Sequence, residues 1–304
     1  MRRFGAHRPS GAFPKLAMDG KEASVTEPNQ AQAQLWNNQA GQNWVEQNAL
    51  LDRLFAPFEP PLVEAVLQYG ARKVLDVGCG AGATTFAVAR SLTGQGGCTG
   101  ADLSAPLIHL ARRRAAELEA DHTDFVVADA QTHAFEPASF DAVISRFGVM
   151  FFEDPVAAFA NLRRAARPDA SLACIVWRAA AENPFMTAAE RAAAPLLPEA
   201  PPRDPNAPGQ FAFADPERVR DLLSAAGWRE IDLQPLDVAC AMPAADLETY
   251  AVRMGPVSLA LPSLDQDRRQ AVIEAVRRGF APFVADGLAR FTAACWMVRG
   301  RGQT

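Results

Sequence analysis

From Val74 to Gly82 the chain reads Val-Leu-Asp-Val-Gly-Cys-Gly-Ala-Gly, an acid and three alternate glycines behind a short apolar run. Such a pattern suits holding a ligand, because glycine lacks Cβ, can take positive φ and lets a bound molecule approach the main chain closely. Val74, Leu75 and Val77 predict the end of a buried parallel strand. Ala83 to Arg90 predict a helix whose unpaired first N–H groups point at whatever the loop holds. No Lys or Arg stands between Asp76 and Ala89, and no Gly-Lys-Ser/Thr ending follows, so a triphosphate cradle of the P-loop kind is poorly supported. Gly78, Gly80 and Ala83 fit a relaxed dinucleotide fingerprint, and Asp102 follows at about the distance, roughly 20 residues, of a ribose-binding acid. On the glycines alone the ligand class stays open.

Three further stretches follow in order: Gly100-Ala-Asp102-Leu103-Ser104, Val127-Ala-Asp129-Ala130 and Phe140-Asp141-Ala-Val-Ile-Ser145. With the glycine loop, their order and spacing resemble class I S-adenosylmethionine-dependent methyltransferases, in the broad branch that includes the quinone-biosynthesis enzymes. The resemblance covers about Trp36 to Trp177 well and the remainder loosely. It implies S-adenosylmethionine as cofactor. The backbone of Gly78, Cys79 and Gly80, in the loop closed by Gly82, would then meet its amino-acid end, and Asp76 would receive its ammonium directly or through water. Asp102 would hold the ribose, Leu103 would pack on the adenine, and Asp129 with Ala130 would read the adenine edge. Ser145 and Arg146 would sit next to the methyl donor. Trp36, Asn37, Gly41 and Trp44 would belong to a lid over the cofactor; the alternative is that both tryptophans simply anchor their helix to the core.

These residues need a sheet to position them. Polar, helix-prone text from Gln30 to Phe58 carries an apolar face at three- and four-residue steps, and Pro60-Pro61 begin a further helix that stops at Gly70. Strands are expected at about Lys73–Val77, Cys98–Leu103, Asp124–Ala128, Phe140–Ser145 and Ser171–Trp177. Helices between them start at Ser104 and at Asp154-Pro155. Asp169-Ala170 stand where such enzymes commonly carry two glycines. Residues 178–214, rich in proline, read as a long loop, and Asp215-Pro216 start another helix stopped by Gly227. A sixth strand is expected from Trp228 to Val238, helices from Met242 to Phe283 with a capping box at Ser263 and Gln266, and a last strand from Phe291 to Val298. The expected fold is α/β, a doubly wound, Rossmann-like, seven-stranded sheet with an N-terminal helical lid and a helical insertion before the last strand. That the last strand is antiparallel is what the resemblance implies. The expected division is a disordered tail at 1–29, a lid at 30–70, a cofactor-binding core at 71–177 and substrate-side elements of the same domain at 178–304.

The 304 residues are 49% hydrophobic and 21% charged, which suits one globular domain with elaborations. A formal net charge of −5 implies no polyanionic partner, so nucleic acid is a poor candidate. Five scattered cysteines, with no C-x-x-C or Cys/His cluster, argue against a disulfide framework and a zinc site and favour a cytoplasmic setting. No run approaches the ~18 apolar residues of a membrane span. Met1 to Ala17 carry four basic residues and no acid, mimicking a transit peptide but lacking an amphipathic face; a disordered tail and a start at Met18 are the expectation.

Methyl transfer from a sulfonium chiefly needs acceptor, methyl carbon and sulfur held in line, and positioning of this kind supplies on the order of 7–11 kcal/mol without an acid or base. No catalytic residue is assigned. His133, in the loop after Asp129, is a weak candidate for proton removal from a phenol or amine, and Arg146 for pairing with an anionic acceptor. Phe147, Phe151, Phe185, Phe211 and Phe213 are candidates to line an apolar acceptor pocket. The expectation is an S-adenosylmethionine-dependent methyltransferase acting on a small metabolite, with a homodimer possible. The alternatives are an NAD(P)-dependent oxidoreductase and a non-catalytic cofactor-binding interaction protein.

Overall fold

The computed structural model describes residues 29–92, 94, 96–197 and 204–302. The expectations for the tail and for Met18 lie outside the described residues, except at Asn29, which is buried. Four short helices open the chain: α1 (Gln30–Asn37), α2 (Gln39–Glu46), α3 (Asn48–Phe55) and α4 (Glu59–Gln68). The alternation β1 (Lys73–Val77), α5 (Ala83–Ser91), β2 (Gly97–Asp102), α6 (Ala105–Glu117), β3 (Thr123–Val127), β4 (Phe140–Arg146), α7 (Pro155–Ala165) and β5 (Ala166–Trp177) follows. Next come α8 (Ala188–Ala193), α9 (Pro216–Ala225), β6 (Arg229–Pro243), α10 (Leu247–Arg253), α11 (Gly255–Ala260), α12 (Gln266–Phe280), β7 (Val284–Ala285) and β8 (Leu288–Arg301).

The strands form one sheet in the order β3-β2-β1-β4-β5-β8-β6, with the two-residue β7 paired to β8. From β3 to β5 the pairing is parallel, whereas β8 runs antiparallel to both β5 and β6. Apolar β1 and β5 lie inside because helices cover both faces of a parallel sheet; Val74, Leu75, Ile175 and Val176 are all buried. The order reverses between β1 and β4, so their carboxyl ends diverge and leave a crevice, which is where ligands bind in open α/β sheets.

Local signals set most boundaries. Asp154 accepts from the N–H of Ala157 ahead of Pro155, and Asp215 accepts from Glu217 and Arg218 ahead of Pro216. Asp169 takes φ +62°, the left-handed turn that glycine would take more easily. At α12 the cap is Asp265, which accepts from Arg268 N–H; Ser263 instead donates to the carbonyl of Ala260, so the expected capping box does not form.

The stretch 178–214 is not one long loop. It holds α8, which packs on α12 where Gly279 leaves room for Ala192. Asn183 pins its start to the sheet. Its amide donates to the carbonyls of Ala179 and Ala294 and its carbonyl oxygen accepts from Ala294 N–H, the two bonds to Ala294 of β8 being buried. No metal-ligating cluster of three or more side chains occurs among the described residues, and none of their helices is long and apolar enough to cross a membrane. Removing the Asn183 amide would orphan a buried N–H of β8, so Asn183→Ala is expected to cost about 2 kcal/mol, read as a lowered urea midpoint at unchanged slope.

Candidate functional site

The crevice is shaped first by two glycines. A Cβ on Gly78 would lie 2.5 Å from Gly148 Cα, and one on Gly148 would lie 2.6 Å from Gly78 Cα, so the loops after β1 and β4 touch only because both positions lack a side chain. Gly78 also has φ +67°. Ser145, fully buried, fastens the same junction: its hydroxyl donates to Val77 O at 2.7 Å and accepts from Gly148 N–H at 3.2 Å. Phe147 next to it has φ +65°, rare for an aromatic residue, with its ring stacked on Trp177 at 4.6 Å.

The loop's glycines and Cys79 have already spent their N–H donors. Gly78 and Cys79 N–H donate to Ala101 O, Gly80 N–H to Asp102 Oδ2 at 2.8 Å, and Gly82 N–H to Cys79 O. Asp102 Oδ1 accepts from Ser104 N–H at 2.8 Å. Burial pushes the Asp102 carboxyl up from its ordinary value, and these two N–H bonds oppose the shift. The loop therefore offers a ligand its carbonyls and the space left by missing side chains, while Asp102 keeps one lone-pair direction per oxygen for hydroxyls.

Asp76, 1% exposed, accepts from Thr85 Oγ1 at 2.7 Å through Oδ2, while its Oδ1 and the nearby Thr84 Oγ1 are buried without a partner. Burial raises the Asp76 carboxyl to about 6 from an ordinary 3.8, the Thr85 bond and Arg146 pulling the other way. Burial likewise lowers Arg146, against the attraction of Asp76, Glu59 and Asp52. Gly78, Cys79, Gly80, Ala83, Thr84, Asp76, Arg146, Phe147, Trp44, Asn48, Asp52 and Phe55 line one cleft that is open to solvent.

The opening helices lie across this cleft. Asn37 donates to Leu103 O and accepts from Ala105 N–H, and Ser104 Oγ donates to Trp36 O. Gly41 permits the fit, since a Cβ there would meet Trp36 O at 1.9 Å. Asn29 donates its side-chain amide to Asp129 Oδ1 at 3.2 Å. From α6, Arg114 reaches Ala81 O at 2.7 Å, Asn48 Oδ1 at 3.2 Å and Asp52 Oδ2 at 2.5 Å, joining the glycine loop to α3.

Residues 74–169 match the family described as a methyltransferase domain, the stretch that contains every strand end just described. The chain therefore carries a methyltransferase domain of the S-adenosylmethionine-dependent kind. S-adenosylmethionine is the cofactor of that domain. Among curated relatives, aklanonic acid methyltransferase of Streptomyces sp. strain C5 is 33% identical over 41% of this chain and 59% of its own length. Nocamycin O-methyltransferase of Saccharothrix syringae is 28% identical over 81% of this chain and 91% of its own. Demethylmenaquinone methyltransferase of Lactiplantibacillus plantarum is 33% identical over 34% of this chain and only 44% of its own. Among solved structures, the Bacillus YcgJ protein matches with a TM-score of 0.53 at 18% identity, covering 81% of this chain and 98% of that one, which shows the fold.

The methyltransferase cleft brings together Asp76, Gly78, Cys79, Gly80, Arg146 and Trp44 of the residues expected from sequence. Gly82 shapes the turn, at φ +87°, against Phe86 and Phe125. Asp102, Leu103 and Asp129 sit at neighbouring strand ends under α1; Ala130 is buried, its carbonyl accepting from Asn161. Four expectations need correction. Ser145 is a buried fastener with no face toward the cleft. His133 lies outside the cleft lining, its ring edge-on to Phe135 at 4.6 Å. Trp36 does not reach the cleft; it packs edge-on to Trp44 and Phe151, so of the two tryptophans only Trp44 lines it. The five phenylalanines form no single pocket: Phe147 lines the cleft, but Phe185 stacks on Phe291 at 3.9 Å and Phe213 packs by Phe159. Thr84, Thr85, Asn48, Asp52, Arg114 and Gly148 were not foreseen; the two threonines, directly after Gly82 at a helix start, carried the only local signal.

The cofactor fits this chemistry. The orphaned Asp76 Oδ1 has the chemistry that would hold an ammonium, and the Thr84 hydroxyl at the start of α5 the chemistry that would hold a carboxylate. The native state holds the Asp76 proton more tightly than the unfolded chain. Its contribution to stability is therefore full below about pH 4 and is lost as the pH rises to about 6. Ligand-free Asp76→Asn should consequently be more stable than the parent by about 2–3 kcal/mol near neutral pH and equal to it below about pH 4. Urea unfolding at both pH values checks this, and at neutral pH the same variant should bind S-adenosylhomocysteine at least about tenfold more weakly.

Proposed function

We propose that the protein transfers a methyl group from S-adenosylmethionine to an oxygen of a small-molecule acceptor. The observation that carries the reading is the pair of orphaned buried groups, Asp76 Oδ1 and Thr84 Oγ1, beside a glycine-rich loop at the switch point of the sheet. When bound, the cofactor supplies an activated methyl group on a sulfonium. The chain's part is to hold and orient: Asp76 takes the ammonium, Asp102 the ribose hydroxyls, and Asp129 with Ala130 the adenine edge. Leu103 packs against the base, and Trp44 with α1 to α3 excludes water. Oxygen as the acceptor atom is supported by the nocamycin relative, named for O-methylation and matched over most of its length. A small metabolite is supported by that name and by aklanonic acid methyltransferase. Five buried free thiols agree with a reducing cytoplasm.

The nicotinamide alternative draws on the relaxed glycine fingerprint and Asp102. It is disfavoured by β8, antiparallel between β5 and β6, where a dinucleotide-binding sheet would continue parallel. Calorimetric titration with S-adenosylmethionine, S-adenosylhomocysteine and NADH separates the readings. Both adenosyl ligands should bind, NADH should not, and Asp102→Asn should weaken the adenosyl ligands about tenfold or more. Binding of NADH alone would overturn the proposal.

A further inference from the structure

The cleft contains a cation that the protein leaves nearly unanswered. Arg146 donates Nη1 to Phe55 O at 3.2 Å, and its guanidinium carbon lies 5.8 Å from the centre of the Phe55 ring. A guanidinium has five N–H donors. No other hydrogen bond and no ion pair reaches Arg146 among the described residues. The acids that attract it form no ion pair with it: Asp52 holds Arg114, Asp76 accepts from Thr85 through Oδ2, and Glu59 acts only through its charge. A guanidinium drawn into a partly dry cleft with most donors free is costly unless a ligand answers it.

Its surroundings describe that ligand. Phe55 and Phe147 wall the cleft beside it, their ring centres 5.6 Å apart, with Trp177 stacked behind Phe147. The same cleft is lined by Asp76 and Thr84, which on the methyltransferase reading take both charges of the cofactor's amino-acid end, so the cofactor does not require Arg146. What is left is an aromatic wall with one cationic corner. We propose that Arg146 binds the anionic oxygen of the methyl acceptor, and that the acceptor is an aromatic acid, held by its carboxylate or phenolate.

This rests on the methyltransferase reading and explains a feature of it: no histidine lines the cleft. An acceptor that arrives as an anion needs no base. Its oxygen lone pair forms the new O–CH₃ bond as the carbon–sulfur bond breaks, the released pair stays on sulfur, and no proton moves. The product is uncharged at that oxygen, loses its attraction to Arg146 and leaves.

The test uses the full chain saturated with S-adenosylhomocysteine, so that nothing turns over, titrated with 2-naphthoate and with neutral 2-naphthamide. Wild type should prefer the anion by about tenfold or more. Arg146→Met should bind both alike while retaining S-adenosylhomocysteine affinity, and Arg146→Lys should keep part of the preference. Equal binding of the two probes by wild type, or binding of neither, overturns the proposal, and this arm holds even if a variant fails to fold. So does a preference that survives in Arg146→Met, or a variant that loses the cofactor product while keeping the preference. Failure of wild type to bind S-adenosylhomocysteine would instead overturn the methyltransferase reading itself.

Discussion

The site depends on one clasp, the tie between the end of β2 and the glycine loop. Ala101 O takes two loop N–H groups, and the Asp102 carboxylate takes Gly80 N–H on one oxygen and Ser104 N–H on the other. A buried carboxylate is expensive, and here the cost is offset by charge-assisted bonds to backbone donors that would otherwise be orphaned by the sharp turn. The loop is thereby fixed before any ligand arrives. A fixed loop loses little entropy on binding, which is how a crevice with no acid–base machinery can still orient reactants.

The opening helices are built onto the same clasp. Trp36 O, Asn37 and Gly41 dock on Leu103, Ser104 and Ala105, the residues immediately after Asp102, and Arg114 joins α3 to Ala81 inside the loop. Shaping the loop and seating these helices are thus parts of one arrangement. The polar ties of α1 are a few hydrogen bonds at partly exposed positions, each worth about 1 kcal/mol net, beside the edge-on packing of Trp36 on Trp44 and Phe151. Parting α1 from Leu103, Ser104 and Asp129 to admit an adenosyl group costs little beside the affinity that group can provide.

Sequence disclosed what is local. The caps at Ser104, Asp154 and Asp215, the stop at Gly227 and the apolar run of β1 are each written within a few residues, and the structure keeps them. It also pointed to Asp76 and Arg146, because an acid before a glycine loop and a charge at a strand end stand out against apolar neighbours. What it could not disclose is where donors and rings go once the chain is folded. Gly148 looks like any turn glycine until Gly78 is laid against it. Arg114 is one arginine among three in a row on a helix, and only the sheet decides which of them meets α3. Ser145 was read as facing a ligand because it ends a strand, yet alternation along β4 turns it inward and Arg146 outward. Phenylalanines near loops look alike in sequence, but Phe185 packs on Phe280 and stacks on Phe291, with the helices that cover β8 rather than with the cleft.

Asp76 and Arg146 show how the cleft is matched to its proposed reaction. Each is pushed toward its neutral form by burial, the acid up to about 6 and the guanidinium down, and each is the other's leading or second source of relief by charge. They do not pair. They stand at the ends of two strands, β1 and β4, so the cleft presents a negative end and a positive end rather than a closed salt bridge. A cationic donor is favoured at one end and an anionic acceptor at the other, and transfer between them cancels both reacting charges. A reaction that loses charge on the way to its transition state runs better between aromatic walls than in water, because water stabilises the separated ions most. On this reading Phe55, Phe147 and Trp44 contribute to rate by keeping the space between Asp76 and Arg146 dry, and the strained backbone of Phe147 is what sets its ring there.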